Sequence, residues 1–111
     1  MGSKMTTAQV VKLDLLEQGR RKWDRVRKLV ELAAVSPKSA DDLMRQCHRT
    51  AQEAGRFFGS NGFGPLSTYA VDLATLIKRP GTFQGKLGAL RETVGKGYAG
   101  FDRAQLSIKS G

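Results

Sequence analysis

Apolar residues recur at intervals of three and four along most of the chain, and nowhere do they alternate with polar ones over the length of a strand. Over residues 6–18 the repeat is carried by Val10, Val11, Leu13 and the Leu15-Leu16 pair, which predicts a helix whose continuity Gly19 weakens. Trp23, Val26, Leu29, Val30 and Ala33 carry it over 20–35, a second helix or a continuation of the first. Arg20, Arg21, Arg25, Arg27 and Lys28 cluster on its other side. Ser36-Pro37-Lys38-Ser39 interrupts the pattern, and Ser39, with Asp42 three residues on, suits an N-cap. The helix that follows, to about residue 58, has a stripe of Leu43, Cys47, Thr50, Ala54 and Phe57, widened by Ala51 and Phe58. The glycine-rich run 59–65 predicts a loop. Leu66, Ala70, Leu73 and Ile77 then predict a helix over 66–78, which Arg79-Pro80-Gly81 ends. Phe83, Leu87, Leu90, Val94, Tyr98 and Phe101 mark a last helix over 82–104, softened by its glycines, with a kink or fraying expected near Gly95.

Long amphipathic helices, short connections and no hairpin signal predict an all-α fold: an antiparallel four-helix bundle with an additional N-terminal helical segment. A chain of 111 residues supports one core. The bundle is placed at 6–104, with 1–5 as a non-native or disordered start and 105–111 as a loose tail. Leu43, Ala54, Leu73, Leu87, Leu90 and Val94 are expected in the core, together with Trp23, Phe83, Tyr98 and Phe101.

Charge alters this picture. Nineteen Lys and Arg against ten Asp and Glu leave a formal +9, which favours an acidic partner. The basic face over 20–28 has no interleaved exposed aromatics for base stacking and no reading-helix motif. Nucleic-acid binding, or a structural interaction role, therefore stands as an alternative that the charge permits without favouring. No apolar run reaches the length of a membrane span and no signal-peptide pattern opens the chain, so no membrane insertion and a cytoplasmic location are expected. Cys47 is the only cysteine, which excludes an internal disulfide. With only His48 beside it, it is one of too few ligands for a zinc site, and no metal site is assigned. Asp41-Asp42 reads as helix-start electrostatics. Nothing in the chain forms a phosphate-binding loop, a catalytic triad or paired carboxylates.

His48, the only histidine, is the strongest chemical candidate. At about 100° per residue it falls off the apolar stripe of its helix, on a side shared with Gln52, Gly55 and Gly59. Two glycines on that face suit close approach by another molecule, although they equally suit tight helix packing. Arg45, Arg49 and Arg56 flank it and favour an anionic group on the ring. An unperturbed imidazole is substantially neutral near pH 7 and therefore nucleophilic.

Leu43, Cys47, His48, Arg49 and Ala51, followed by Gly62-Phe63, Leu66-Ser67, Ala70 and Leu73, resemble the motif of the histidine-containing phosphotransfer (HPt) family. The likeness covers roughly residues 25–77 by motif and the remainder by helix count alone. The resemblance implies a four-helix bundle that carries a phosphoryl group on a histidine between receiver-domain aspartates, a carrier rather than a self-contained enzyme. It implies His48 as phosphoacceptor and Arg45, Arg49, Gln52, Gly55, Arg56 and Gly59 as the docking surface. The partners implied are a response-regulator receiver domain and a hybrid histidine kinase. No cofactor is expected in this chain, because the receiver supplies Mg. Two departures mark the match: Gln52 stands where the family has a glycine one turn after the histidine, and the glycine turn arrives about four residues late. An extra helical turn after His48 accounts for the shift. Matching backwards from the glycine turn instead sets Gln52 at the phosphoacceptor position, which implies a degenerate member that binds receivers without being phosphorylated.

Overall fold

The computed structural model describes residues 4–111, so the first three residues of the predicted non-native start lie outside the described residues. Four helices follow one another: α1 (Thr7–Val35), α2 (Ala40–Ser60), α3 (Gly64–Lys78) and α4 (Phe83–Ser110), with a single 3-10 turn, Pro37–Ser39, between the first two. No strand occurs among the described residues. The fold is an all-α helical bundle.

Local chemistry explains the helix boundaries. Thr6 begins α1 with a reciprocal capping box: its hydroxyl accepts from the Gln9 N–H, and the Gln9 side chain accepts from the Thr6 N–H. Thr82 caps α4 by accepting from the Gly85 N–H. Ser39 stands at the N-cap position of α2 as expected, but without a capping bond. It is also the last residue of the 3-10 turn. Asp41 and Asp42 occupy the first turn of α2, where carboxylates oppose the positive end of the helix dipole. The predicted glycine loop shrinks to Asn61–Phe63, because α2 continues through Gly59 and Ser60 and α3 opens on Gly64-Pro65. Proline is compatible with a first helical turn, where its missing N–H has no intrahelical partner. Gly62 adopts φ 79°, a left-handed conformation that glycine accepts without steric cost, and this turns the chain within three residues.

Of the two readings of the N-terminal segment the continuation holds: α1 is continuous, and Gly19 is buried where the Phe58 ring approaches the helix so closely that a Cβ would collide with it. One further expectation is corrected. The residues 105–111 are not a loose tail, since α4 runs to Ser110. Ile108 packs against the core cluster, and its carbonyl accepts from Gln9 Nε2 at 2.9 Å, which ties the two chain ends together.

Cross-helix contacts fix the helix directions. Along α1 and α2, Gly19 meets Phe58 while Val26 meets Cys47. Along α1 and α4, Gln9 meets Ile108, Trp23 meets Val94, and Glu31 meets Arg91. Along α2 and α3, Gly55 meets Ala70 and Gly59 meets Ser67. Neighbours therefore run antiparallel. The core centres on Trp23, Phe58, Phe101, Leu73, Leu90, Val26, Val30 and Cys47, all enclosed. Phe58 packs edge-on to Phe101, with ring centroids 5.6 Å apart. Trp23 donates its indole N–H to the Val94 carbonyl at 2.9 Å, so its one polar atom is satisfied inside the core. Ala54, Leu73, Leu90 and Val94 are buried as expected, whereas Leu43, Leu87, Phe83 and Tyr98 only flank the core.

Candidate functional site in the cleft between α2 and α3

The buried arc of α2 is rotated from the predicted stripe. Met44, Cys47, Ala51, Ala54, Gly55 and Phe58 are buried, while Leu43, Thr50 and Phe57 are half-buried. The physical cause is that α2 packs against both α1 and α3. Alanine and glycine, weak signals in a hydrophobic pattern, form the contact on the α3 side. Gly55, expected on the open face, is buried with its Cβ position 3.4 Å from the Ala70 methyl. Ser67 adds a bond across the same contact, donating its hydroxyl to the Gly55 carbonyl at 3.1 Å.

This close approach leaves an open cleft of about 750 Å³ along the α2–α3 seam. His48, Gln52 and Arg56 line it at successive turns of α2, facing Val71, Thr75 and Lys78 of α3. A smaller recess of about 200 Å³ lies on the other side of His48, bounded by Arg45, Lys78 and Lys86. The imidazole is thus a ridge between two concavities, and Lys78 borders both. His48 is half-buried. Partial desolvation, and then the positive charge of Lys78, lower its pKa below the ordinary 6.5. The ring is therefore neutral at neutral pH. Lys86 is otherwise engaged: its ammonium donates to the Ile77 and Arg79 carbonyls at 3.0 Å each, closing the C-terminus of α3.

The predicted docking residues separate into groups. His48, Gln52, Gly55 and Arg56 share the cleft, with Gly55 as part of its packed floor. Arg45 borders the second recess and is paired with Asp42. Arg49 is exposed but lines neither concavity, and Gly59 is exposed beyond the cleft, its Cβ position 3.5 Å from the Ser67 hydroxyl. Sequence reasoning missed Lys78. Its signal was available, because His48 and Lys78 lie equally far from Phe63 and an antiparallel hairpin about that turn opposes them.

Cys47 is enclosed and offers no chemistry to the site. Burial pushes its thiol up to about 12, and its sulfur lies 3.8 Å from the Val26 carbonyl. Among the described residues, no three His, Cys, Asp or Glu side chains converge as a metal site. The basic face of α1 is partly committed within the chain. Arg20 lies over the Phe101 ring, Lys22 over Phe57 and Arg27 over Tyr98, at 5.1–5.6 Å from the ring centroids. Arg21, Arg25 and Lys28 remain exposed. No described helix is long and apolar enough to cross a membrane. Comparison with protein-family models, with curated proteins and with solved structures finds no match to this chain.

Proposed function

We propose that this bundle is a phosphorelay module that accepts a phosphoryl group on His48 from a receiver-domain aspartate and returns it to another, docking through the α2–α3 face. The observation that carries the reading is the state of His48: a lone half-exposed imidazole, kept neutral by partial desolvation and by Lys78, on an open cleft bordered by cations. A neutral ring nitrogen has the free electron pair that phosphoryl transfer needs. In the forward step that nitrogen attacks phosphorus, the N–P bond forms as the acyl O–P bond breaks, and the receiver aspartate leaves as a free carboxylate. The other ring nitrogen keeps its proton, so the phosphorylated ring carries positive charge beside an anionic group. Lys78 and Arg56 favour that anion through charge-assisted contacts. The metal and the remaining transition-state contacts would belong to the receiver, whose Mg would supply charge neutralisation. Val71, an exposed apolar residue on the cleft rim, gives the docking face a hydrophobic contact beside the charged ones.

Gln52 supports a second reading. It is exposed in the same cleft one turn beyond His48, in the position that the glycine-turn register matches to the phosphoacceptor. A chain read that way occupies receivers and blocks their phosphoryl traffic. Incubation with a phosphorylated receiver separates the two. Carriage by His48 yields an acid-labile, base-stable adduct that mass spectrometry maps to the single histidine and that His48→Gln abolishes. Receiver binding without an adduct, unchanged by His48→Gln, favours the degenerate reading. Neither adduct nor binding across a broad receiver panel rejects both.

A further inference from the structure

A second concavity, of about 490 Å³, lies where the turn between α2 and α3 meets the first turns of α1 and the last turns of α4. Its volume falls within the range of small-molecule sites, roughly 300–1,000 Å³. Its wall is mainly aliphatic and aromatic, built from Phe63, Leu66, Ala104 and Ile108 with Asn61 and Ser107 beside them, while Lys12 and Arg103 are its only charged lining residues. Among the described residues, neither cation belongs to a salt bridge. Arg103 is nevertheless oriented, since its guanidinium donates to the Tyr69 hydroxyl at 3.1 Å. The wall is held from two sides. Gly62, with φ 79°, lets the turn fold tightly enough to bury Phe63, and the Gln9 bond to the Ile108 carbonyl joins α1 to the end of α4.

An apolar recess with two uncompensated cations selects for a molecule apolar along its body and anionic at one end. The body removes the half-buried Ala104 and Ile108 surface from water, and the head satisfies Lys12 and Arg103 without placing an unpaired charge against the wall. A nucleotide fits poorly, because Phe63 is 8% exposed and offers no free ring face for a base. We propose that this recess binds a small amphiphilic carboxylate, its chain along Ala104 and Ile108 and its head between Lys12 and Arg103. The site is independent of His48 and of the α2–α3 cleft.

Octanoate, octanol and octylamine, each titrated into the isotope-labelled full chain and followed by amide chemical shifts, test the charge logic. Octanoate should give saturable shifts concentrated at Gly62, Gly100 and Ala104. Octanol should bind about tenfold more weakly, as expected for loss of a charge-assisted contact, and octylammonium should not bind there. Lys12→Glu combined with Arg103→Glu should abolish the octanoate shifts. Ser107→Trp, at an exposed rim position, should block entry without changing helix content. Lys12→Ala alone should weaken octanoate by about tenfold, which keeps the proposal testable if a double or bulky variant folds poorly. Equal binding of octanol and octanoate, shifts clustered at the His48 cleft instead, or no saturable shift with octanoate would overturn the proposal.

Discussion

Lys78, the last residue of α3, borders both concavities that flank His48, and its charge adds to partial desolvation in holding the imidazole below its ordinary pKa of 6.5. The pairing is a consequence of topology. Two antiparallel helices meeting at a three-residue turn bring residues equally distant from that turn to the same level, and here those residues are the sole histidine and a lysine.

The titration of His48 should therefore depend on Lys78. An NMR titration of the ring protons is expected to give a midpoint below 6.5, and Lys78→Met should raise it toward 6.5 without reaching it, because burial remains the larger cause. The sign for stability follows. The unfolded chain binds this proton more readily than the folded one, so His48 costs nothing above about pH 6.5. It weakens the fold as pH falls from 6.5 through the folded midpoint. That part of the acid sensitivity should vanish in His48→Gln. A midpoint at or above 6.5 in the native protein would show that burial and Lys78 do not hold the ring below its ordinary range, and would take that support from the proposed mechanism.

Much of this was legible in the sequence, and the parts that were not share a cause. Large apolar residues announced the helices, because Trp23, Val26, Leu73, Leu90 and Phe101 recur at helical spacing and all are enclosed. The rotation of α2 was hidden because Ala51, Ala54 and Gly55 carry little hydrophobic signal, although close helix approach depends on their small size. The order of α4 beyond residue 104 was hidden because it rests on Ile108 and on a bond from Gln9, contacts between opposite ends of the chain that no local window contains. The histidine was visible at once, but its environment was not. Lys78 belongs to another helix, and it reaches His48 only through the antiparallel pairing.

Docking at the α2–α3 face is expected to be more sensitive to Gln52 than to the glycines. Gln52 is exposed between His48 and Arg56, so Gln52→Trp should obstruct a receiver while leaving the unfolding free energy within about 0.5 kcal/mol of the native protein, as for most surface substitutions. Gly55→Leu should act differently. Its side chain would have to enter the contact with Ala70, forcing α2 and α3 apart at a cost of about 1–3 kcal/mol. Denaturant unfolding alongside a receiver-binding titration distinguishes these outcomes. A fully stable Gly55→Leu protein would contradict the tight helix contact, and undiminished binding by Gln52→Trp would move the docking surface elsewhere.

The glycines of α4 provide a test of the whole bundle, because neighbouring positions should respond with opposite signs. At Gly97 a Cβ would fall within the Trp23 indole, whose N–H is fixed by the Val94 carbonyl at 2.9 Å. The ring cannot retreat without losing that bond and disturbing the core around Phe58, 6.4 Å away between centroids. Gly97→Ala should therefore destabilise by about 1–3 kcal/mol, the usual cost of overpacking a filled interior. At Gly88 and Gly95 nothing lies within 4 Å of the Cβ position, and both are within the helix. Alanine there removes conformational freedom from the unfolded chain and introduces no clash, so each substitution should stabilise by about 0.4–1 kcal/mol. Urea unfolding followed by circular dichroism measures all three variants against the native protein, with an unchanged m-value required for the comparison. If Gly97→Ala proved neutral, or Gly95→Ala destabilising, the face of α4 turned toward α1 would not be the one carrying Val94, Gly97 and Phe101, and the Trp23-centred core would have to be redrawn.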